Sequence, residues 1–416
     1  MNRTRTTMKI ILGICLFVLI VTSAKADKCR DEVLLDGADS VMLCALDTTD
    51  HWWAITKPFA GAYSLIIDGE PSPKNYEDLR IPVFSPNGNG WAAYVRSVTG
   101  WQLLTADSVT PIECTDIGDI AFGQSGEMAY SYIEGTNEVI VFKGNKYRVQ
   151  QRLSSLYISP DGSRIACVIG RVGGQYLVTS TGESQQFDEI KLAGFWYDGT
   201  TFYAARQGTQ WKVYREQEAL SGVCEAVSEL TINPTGTVAA AVCTQPQSAQ
   251  AYLYSDDYYE PLESKRYDAI TNLVLHPYAA LMGFRGVVNS VAHIVLNRTE
   301  YDGGKETSKP FFTHDGSEFV YCGFDTEFFI TLNGKKYVQN AAINLNQPCA
   351  VMPRGSTYCV ATSTGMVVRE LEKSYSYSGR MVDAVDIPRY SWRNGEYQTL
   401  GKIRNRVFLM KCRMDE

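Results

Sequence analysis

The 416-residue chain is poor in the groups that most catalytic and metal centres use, with four histidines in all. His51, His276, His293 and His314 stand alone, without H-E-x-x-H or paired spacing, so a histidine-rich metal site has no sequence support. No G-x-S-x-G nucleophile elbow, P-loop or C-x-x-C pair occurs. No catalytic residue, cofactor or metal ligand is therefore assigned. A basic excess is also missing: 39 Lys and Arg face 46 Asp and Glu, a net charge of −7. That balance argues against a nucleic-acid surface, which needs a basic stripe. No segment holds a helical period over three turns, which removes the α/β alternatives. No Pro/Gly/Ser-rich linker divides the chain.

Long apolar runs are lacking as well. The longest lies near the N-terminus, Ile10 to Val21, well short of the ~20 residues needed to span a bilayer. Arg3, Arg5 and Lys9 precede it and Ala24-Lys25-Ala26 follows, the layout of a signal peptide with cleavage expected before Asp27. Residues 1–26 are thus expected to be a signal peptide and 27–416 a single domain. Removal takes four bases and no acids, moving the net charge from −7 to −11. It also removes Cys15, leaving an even cysteine count that suits an oxidising compartment. A periplasmic or secreted protein without a transmembrane span is expected.

What the chain has in abundance is Gly (34), Tyr (25) and Phe (16), and they recur in a pattern. A short apolar strand ending in a turn appears as Val83-Phe84-Ser85-Pro86-Asn87-Gly88 and again as Ala121-Phe122-Gly123-Gln124-Ser125-Gly126. Tyr157-Ile158-Ser159-Pro160-Asp161-Gly162 and Gly194-Phe195-Trp196-Tyr197-Asp198-Gly199 follow. Further copies end at Gly236 and Gly316, with a worn copy, His276-Pro277-Tyr278-Ala279, between them. Successive copies are 36 to 43 residues apart. Two strands follow each turn, then a more polar fourth segment such as Lys146-Tyr147-Arg148-Val149. Four antiparallel strands per ~40 residues without an intervening helix is the signature of an all-β propeller. Weaker units at Asp47-Thr48-Thr49-Asp50, Pro353-Arg354-Gly355 and Arg393-Asn394-Gly395 leave the count at about eight blades, in a range of seven to ten. The terminal units are expected to share a blade.

The stretch Ser159-Pro160-Asp161-Gly162-Ser163-Arg164-Ile165-Ala166 resembles the TolB-like, WD-type propeller repeats of bacterial exported proteins, and Tyr63 to Gly88 is similar to a full repeat. The resemblance covers roughly residues 60 to 335, with departures at Gly123, Trp196 and His276. It implies a protein-interaction or scaffolding role in the periplasm or outside the cell, and carries no catalytic motif. The turn aspartates Asp161, Asp198 and Asp315 read as turn formers rather than metal ligands: Asp bonds the local backbone and Gly takes positive φ. Asp47 to Asp50 is the nearest approach to a calcium loop, and it falls short of one.

Cysteine spacing suggests disulfides. Cys349 and Cys359 flank one turn and Cys224 and Cys243 another; Cys29 with Cys44, or either with Cys412, would tie the termini. Cys167 and Cys322 fall in the buried second-strand column. The tryptophans sit at repeat-equivalent positions and read as packing between blades. The segments Asp256-Asp257-Tyr258-Tyr259-Glu260 and Tyr375 to Arg380, with Tyr377, read as exposed contact loops. Asn297-Arg298-Thr299 matches an N-glycosylation acceptor, relevant in a eukaryotic host. The function expected is non-enzymatic binding of a protein or cell-envelope partner through loops on one face. The alternative is a hydrolase or lyase acting on glycans or peptides at a central channel.

Overall fold

A computed structural model describes residues 29–413 except 37–39, 58–60, 340–341, 347–348, 363–364, 373–375 and 379. The signal peptide expected at residues 1–26 lies outside the described residues. Two compact units emerge, Ala38–Pro348 and Met1–Gly37 with Cys349–Glu416.

The larger unit contains eight antiparallel sheets, each traced in chain order from first to fourth strand. We number them as blades: blade 1 runs from Ser40 to Pro71, blade 2 from Asp78 to Pro111, blade 3 from Asp116 to Val149 and blade 4 from Tyr157 to Glu183. Blade 5 runs from Glu189 to Ala219, blade 6 from Ala226 to Glu263, blade 7 from Ala269 to Asp302 and blade 8 from Glu306 to Gln339. The smaller unit contributes two sheets, Ala350–Ser378 and a terminal sheet of Ala384–Cys412 whose fourth strand is the N-terminal segment Cys29–Leu35. The fold is an all-β propeller of four-stranded antiparallel blades, and the count of about eight is corrected to ten. The three weak units are the reason, because they close similar turns with other residues. In one, the Asp47 carboxylate accepts the Thr49 amide; in another, Gly355 N bonds Met352 O; in the third, Gly395 N bonds Ser391 O.

One sheet cannot bury both of its faces alone, so consecutive blades share cores. Ala166, Val168 and Leu177 of blade 4 pack with Ile190, Leu192 and Tyr203 of blade 5. Val238, Ala240 and Leu253 of blade 6 pack with Met282, Phe284 and Val295 of blade 7. Second strands are covered on both faces, which is why Ala239-Ala240-Ala241-Val242 runs apolar without alternation. Burying a side chain such as Phe284 contributes about 1.5–3 kcal/mol. First strands of neighbouring blades approach one another, and that crowding is met by bulges. Register slips between Val41 and Leu43, Ile117 and Ile120, Leu192 and Gly194, Val227 and Glu229, and Thr271 and Val274. In blades 2 and 8 the first strand breaks into two pieces instead.

The recurring turn works by capping. Its first residue is buried and bonds the backbone that leaves the turn: Ser159 Oγ accepts the Ser163 and Arg164 amides, and Asn233 Oδ1 those of Thr237 and Val238. Asp161 accepts the Ser159 hydroxyl and the Ser163 amide, which holds its carboxyl at about 2. The glycine closing each turn has positive φ, 66° at Gly162 and 72° at Gly236. In the worn copy His276 does the capping: its Nδ1 accepts the Tyr278 and Ala279 amides.

These turns are also tied to each other, blade to blade. His51 Nε2 bonds Gly88 O (2.9 Å), Arg164 Nη1 donates to Gly199 O (2.6 Å), and the Tyr197 amide donates to Gly236 O (2.9 Å). Asn233 Nδ2 donates to Pro277 O (3.0 Å) and His276 Nε2 to Gly316 O (3.0 Å).

A second repeating device fills the far end of five junctions. The second residue before a first strand shares a core position with a second-strand residue of the same blade. The pairs are Tyr76 with Val95, Cys114 with Tyr132, Phe187 with Ala205, Cys224 with Cys243, and Tyr267 with Gly286. Backbone bonds fix the equivalence: the next residue donates its amide across in every case, from Glu77 to Arg96 O through Asp268 to Val287 O. Outer strands are short or carry lysine, as in Asn145–Val149 and Lys335–Gln339, which discourages edge pairing.

Candidate functional site

In a four-stranded meander the turns after the first and third strands lie at one end. The Asp256–Glu260 segment joins the third and fourth strands of blade 6 at that end, beside the turn of blade 5. Arg215, on the third strand of blade 5, clamps the two together. Its Nη1 donates to Asp256 Oδ1 (2.5 Å), its Nη2 to Asp198 Oδ2 (2.7 Å) and its Nε to Thr200 Oγ1 (3.1 Å). The guanidinium lies 4.5 Å from the ring centre of Trp196. Burial alone would lower the Arg215 pKa, but the Asp256 and Asp198 carboxylates outweigh it and raise it. Desolvation works against the Asp198 charge too, and the Thr200 and Arg215 bonds win, lowering its pKa. Asp256 also accepts the Tyr197 hydroxyl, which raises that phenol's pKa.

The clamp leaves a row of tyrosines in water. Tyr259 is 103% exposed, Tyr258 43%, Tyr197 51% and Tyr278, in the turn of blade 7, 56%. Asp257 and Glu260 are exposed beside them. Beneath the loop lies a cleft of about 440 Å³ between the outer edges of blades 5 and 6, walled by Tyr252, Glu260, Pro261, Glu263 and Arg298.

Other expected residues lie elsewhere. Tyr375 and the side chain of Tyr377 are outside the described residues; the backbone of Ser376–Ser378 forms the fourth strand of its sheet. Cys224 and Cys243 form a disulfide with Cα atoms 5.4 Å apart, and Cys29 joins Cys412, its direct partner in register (Cα–Cα 4.0 Å). Cys44, the other partner considered for Cys29, stands opposite Ala54 in blade 1. Cys349 and Cys359, expected to face each other, are not joined. Ala350 is the residue opposite Cys359, one position off, and burial pushes the Cys359 thiol well above its usual pKa. Cys167 is buried likewise, and its thiol rises to about 12. Trp392 is the tryptophan most open to water, and the others pack within or against the blades. Sequence reading misses Arg215 entirely, since what makes it a clamp is two carboxylates on separate blades. Among the described residues, no group of three or more His, Cys, Asp or Glu is arranged to hold a metal ion.

No family model matches the chain, and no curated protein matches it. Solved structures similar to it include a eukaryotic initiation factor, at 14% identity over 82% of this chain and 97% of the other, with a TM-score of 0.47. TolB from Acinetobacter baumannii is similar at 12% identity over 69% of this chain and 75% of its own, with a TM-score of 0.30. An oligogalacturonate lyase in complex with manganese is similar at 12% identity, covering 73% and 97%, with a TM-score of 0.32. Likenesses this distant assign no activity to this chain.

Proposed function

We propose that this chain is an exported, non-enzymatic propeller that engages a protein or cell-envelope partner through the loop end of blades 5 to 7. The observation that carries the reading is the Tyr258–Tyr259 tip, with Tyr259 fully in water and Tyr258 partly so, built on a loop that Arg215 fixes to the neighbouring blade. Tyrosine supplies contact area at low entropy cost, and a fixed base reduces the ordering needed on binding. The two disulfides support export, because such bonds persist in oxidising compartments. The TolB-like, WD-type resemblance of the repeats fits the same reading.

The test places a photo-crosslinking amino acid at position 259 in cells, with the same probe at Val172 as control. Val172 is equally exposed (104%) but sits on a hairpin at the opposite end of blade 4. A discrete adduct from 259, absent from 172 and lost when Tyr258→Ser and Arg215→Ala are added, supports the proposal. Equal adducts from both positions, or none from 259, overturn it.

A further inference from the structure

Toward the end of blade 6 opposite the tyrosine loop, a hollow of about 290 Å³ opens between the edge of blade 5 and the body of blade 6. One wall is Ser221–Gly222–Val223–Cys224 and the other is Cys243, Gln245, Ser248, Gln250 and Tyr252, with Arg266 at the rim. The Cys224–Cys243 disulfide joins the two walls. The volume sits at the lower end of small-ligand cavities, about 300 to 1,000 Å³.

Several polar groups here are already used. Ser221 Oγ accepts the Val213 amide and donates to Gly222 O. Tyr252 donates to Gln250 Oε1, and Gln250 Nε2 donates to Glu263 and to Ser264 O. Gln245 Nε2 donates to Val223 O. What remains is rich in donors. Among the described residues the Gly222 and Val223 amides and the Ser248 hydroxyl bond to nothing, and Arg266 makes neither an ion pair nor a hydrogen bond. The lining itself holds no carboxylate, and Gln250 occupies one oxygen of the nearby Glu263.

We propose that this hollow binds a small carboxylate-bearing ligand, with Arg266 taking the carboxylate. The Gly222 and Val223 amides and the Ser248 hydroxyl complete the donor set, and the Tyr252 ring lines the side. A guanidinium meets a carboxylate with two parallel bonds, an arrangement a neutral group does not reproduce. Two sources offer this chemistry, a sugar acid and the C-terminus of a short peptide. The site is independent of the tyrosine loop.

Titration calorimetry on the intact, oxidised protein tests it with D-glucuronate and acetyl-glycyl-glycine, against D-glucose and acetyl-glycyl-glycinamide as neutral counterparts. Saturable binding of either carboxylate at millimolar concentration, without its neutral counterpart, is expected, and the one that binds names the source. Arg266→Ala should weaken it at least about tenfold, Arg266→Lys less, and Arg298→Ala, in the adjoining cleft, not at all. The proposal is overturned if neither carboxylate binds, if a neutral counterpart binds as well, if Arg266→Ala binds like the native protein, or if Arg298→Ala matches Arg266→Ala.

Discussion

The junction leading into blade 6 and the one leading into blade 7 have the same backbone and opposite side-chain solutions. In both, the second residue before the first strand exchanges backbone bonds with the third strand behind it: Cys224 with Trp211, Tyr267 with Ala249. In the first, two small side chains meet and the gap is closed by a covalent bond. In the second, Tyr267 lies flat over Gly286, where a Cβ would come within 2.5 Å of its ring, and its hydroxyl reaches Glu300 (2.6 Å). The repeat therefore specifies a volume to be filled and leaves open how. Phe187 with Ala205 and Cys114 with Tyr132, each pair within one core cluster, are further solutions with the bulk moved to one side or the other.

If that is correct, breaking the aromatic junction costs most. Tyr267→Ala removes a buried ring over a glycine that cannot fill the space, and should destabilise by about 3–5 kcal/mol in a denaturant titration. A loss under about 1 kcal/mol would mean the ring is not the filler. The covalent junction comes next. Cys224→Ser with Cys243→Ser opens a loop of sequence separation 19 and should cost about 3 kcal/mol. Moving one junction into the other sharpens the point: Cys224→Tyr with Cys243→Gly should recover part of that loss, whereas no recovery would tie the solution to blade 6 itself. A smaller effect is expected from Gly286→Ala, about 1–3 kcal/mol, because the added methyl must displace a packed ring.

The same contrast explains what the sequence discloses. Turns are legible because only certain residues close them: the glycines at 88, 162, 199, 236 and 316 all take positive φ. Junction fillers are not, since Tyr267 and Gly286 carry no shared pattern with Cys224 and Cys243. The terminal sheets blur the blade count because Met352 and Ser391 replace the usual turn openers. Cys349 and Cys359 show the limit of a spacing argument, because Ala350 and not Cys349 is the residue opposite Cys359. At the candidate site, the Asp256–Tyr259 loop is readable from composition. Its anchor is not: Arg215 lies 41 residues from Asp256 and becomes a clamp only once two blades meet.

The weakest effect separates two histidines that do one job with pKa values shifted in opposite directions. Both link a turn to the next blade's glycine carbonyl through Nε2. Burial lowers the His276 pKa against the opposing pull of the Gly316 carbonyl and Asp315, and Nδ1 already accepts two amides, so the neutral ring is the native one. Burial also disfavours charge on His51, but the Asp68 carboxylate 2.5 Å from Nδ1 and the Gly88 carbonyl outweigh it and raise the pKa. His276 thus contributes fully above the unfolded value of about 6.5 and loses that contribution as pH falls through its lowered folded value. His51 contributes fully below about 6.5 and loses its share as pH rises through its raised folded value. Unfolding midpoints measured against pH should show this with two variants. His276→Asn, copying Asn233 in the turn before, should gain on the native protein as pH drops below neutral. Asp68→Asn keeps the oxygen that accepts the Trp52 amide and should lag the native protein in acid, the gap narrowing as pH rises. Curves parallel to the native one in both variants would show that the two links do not differ in charge.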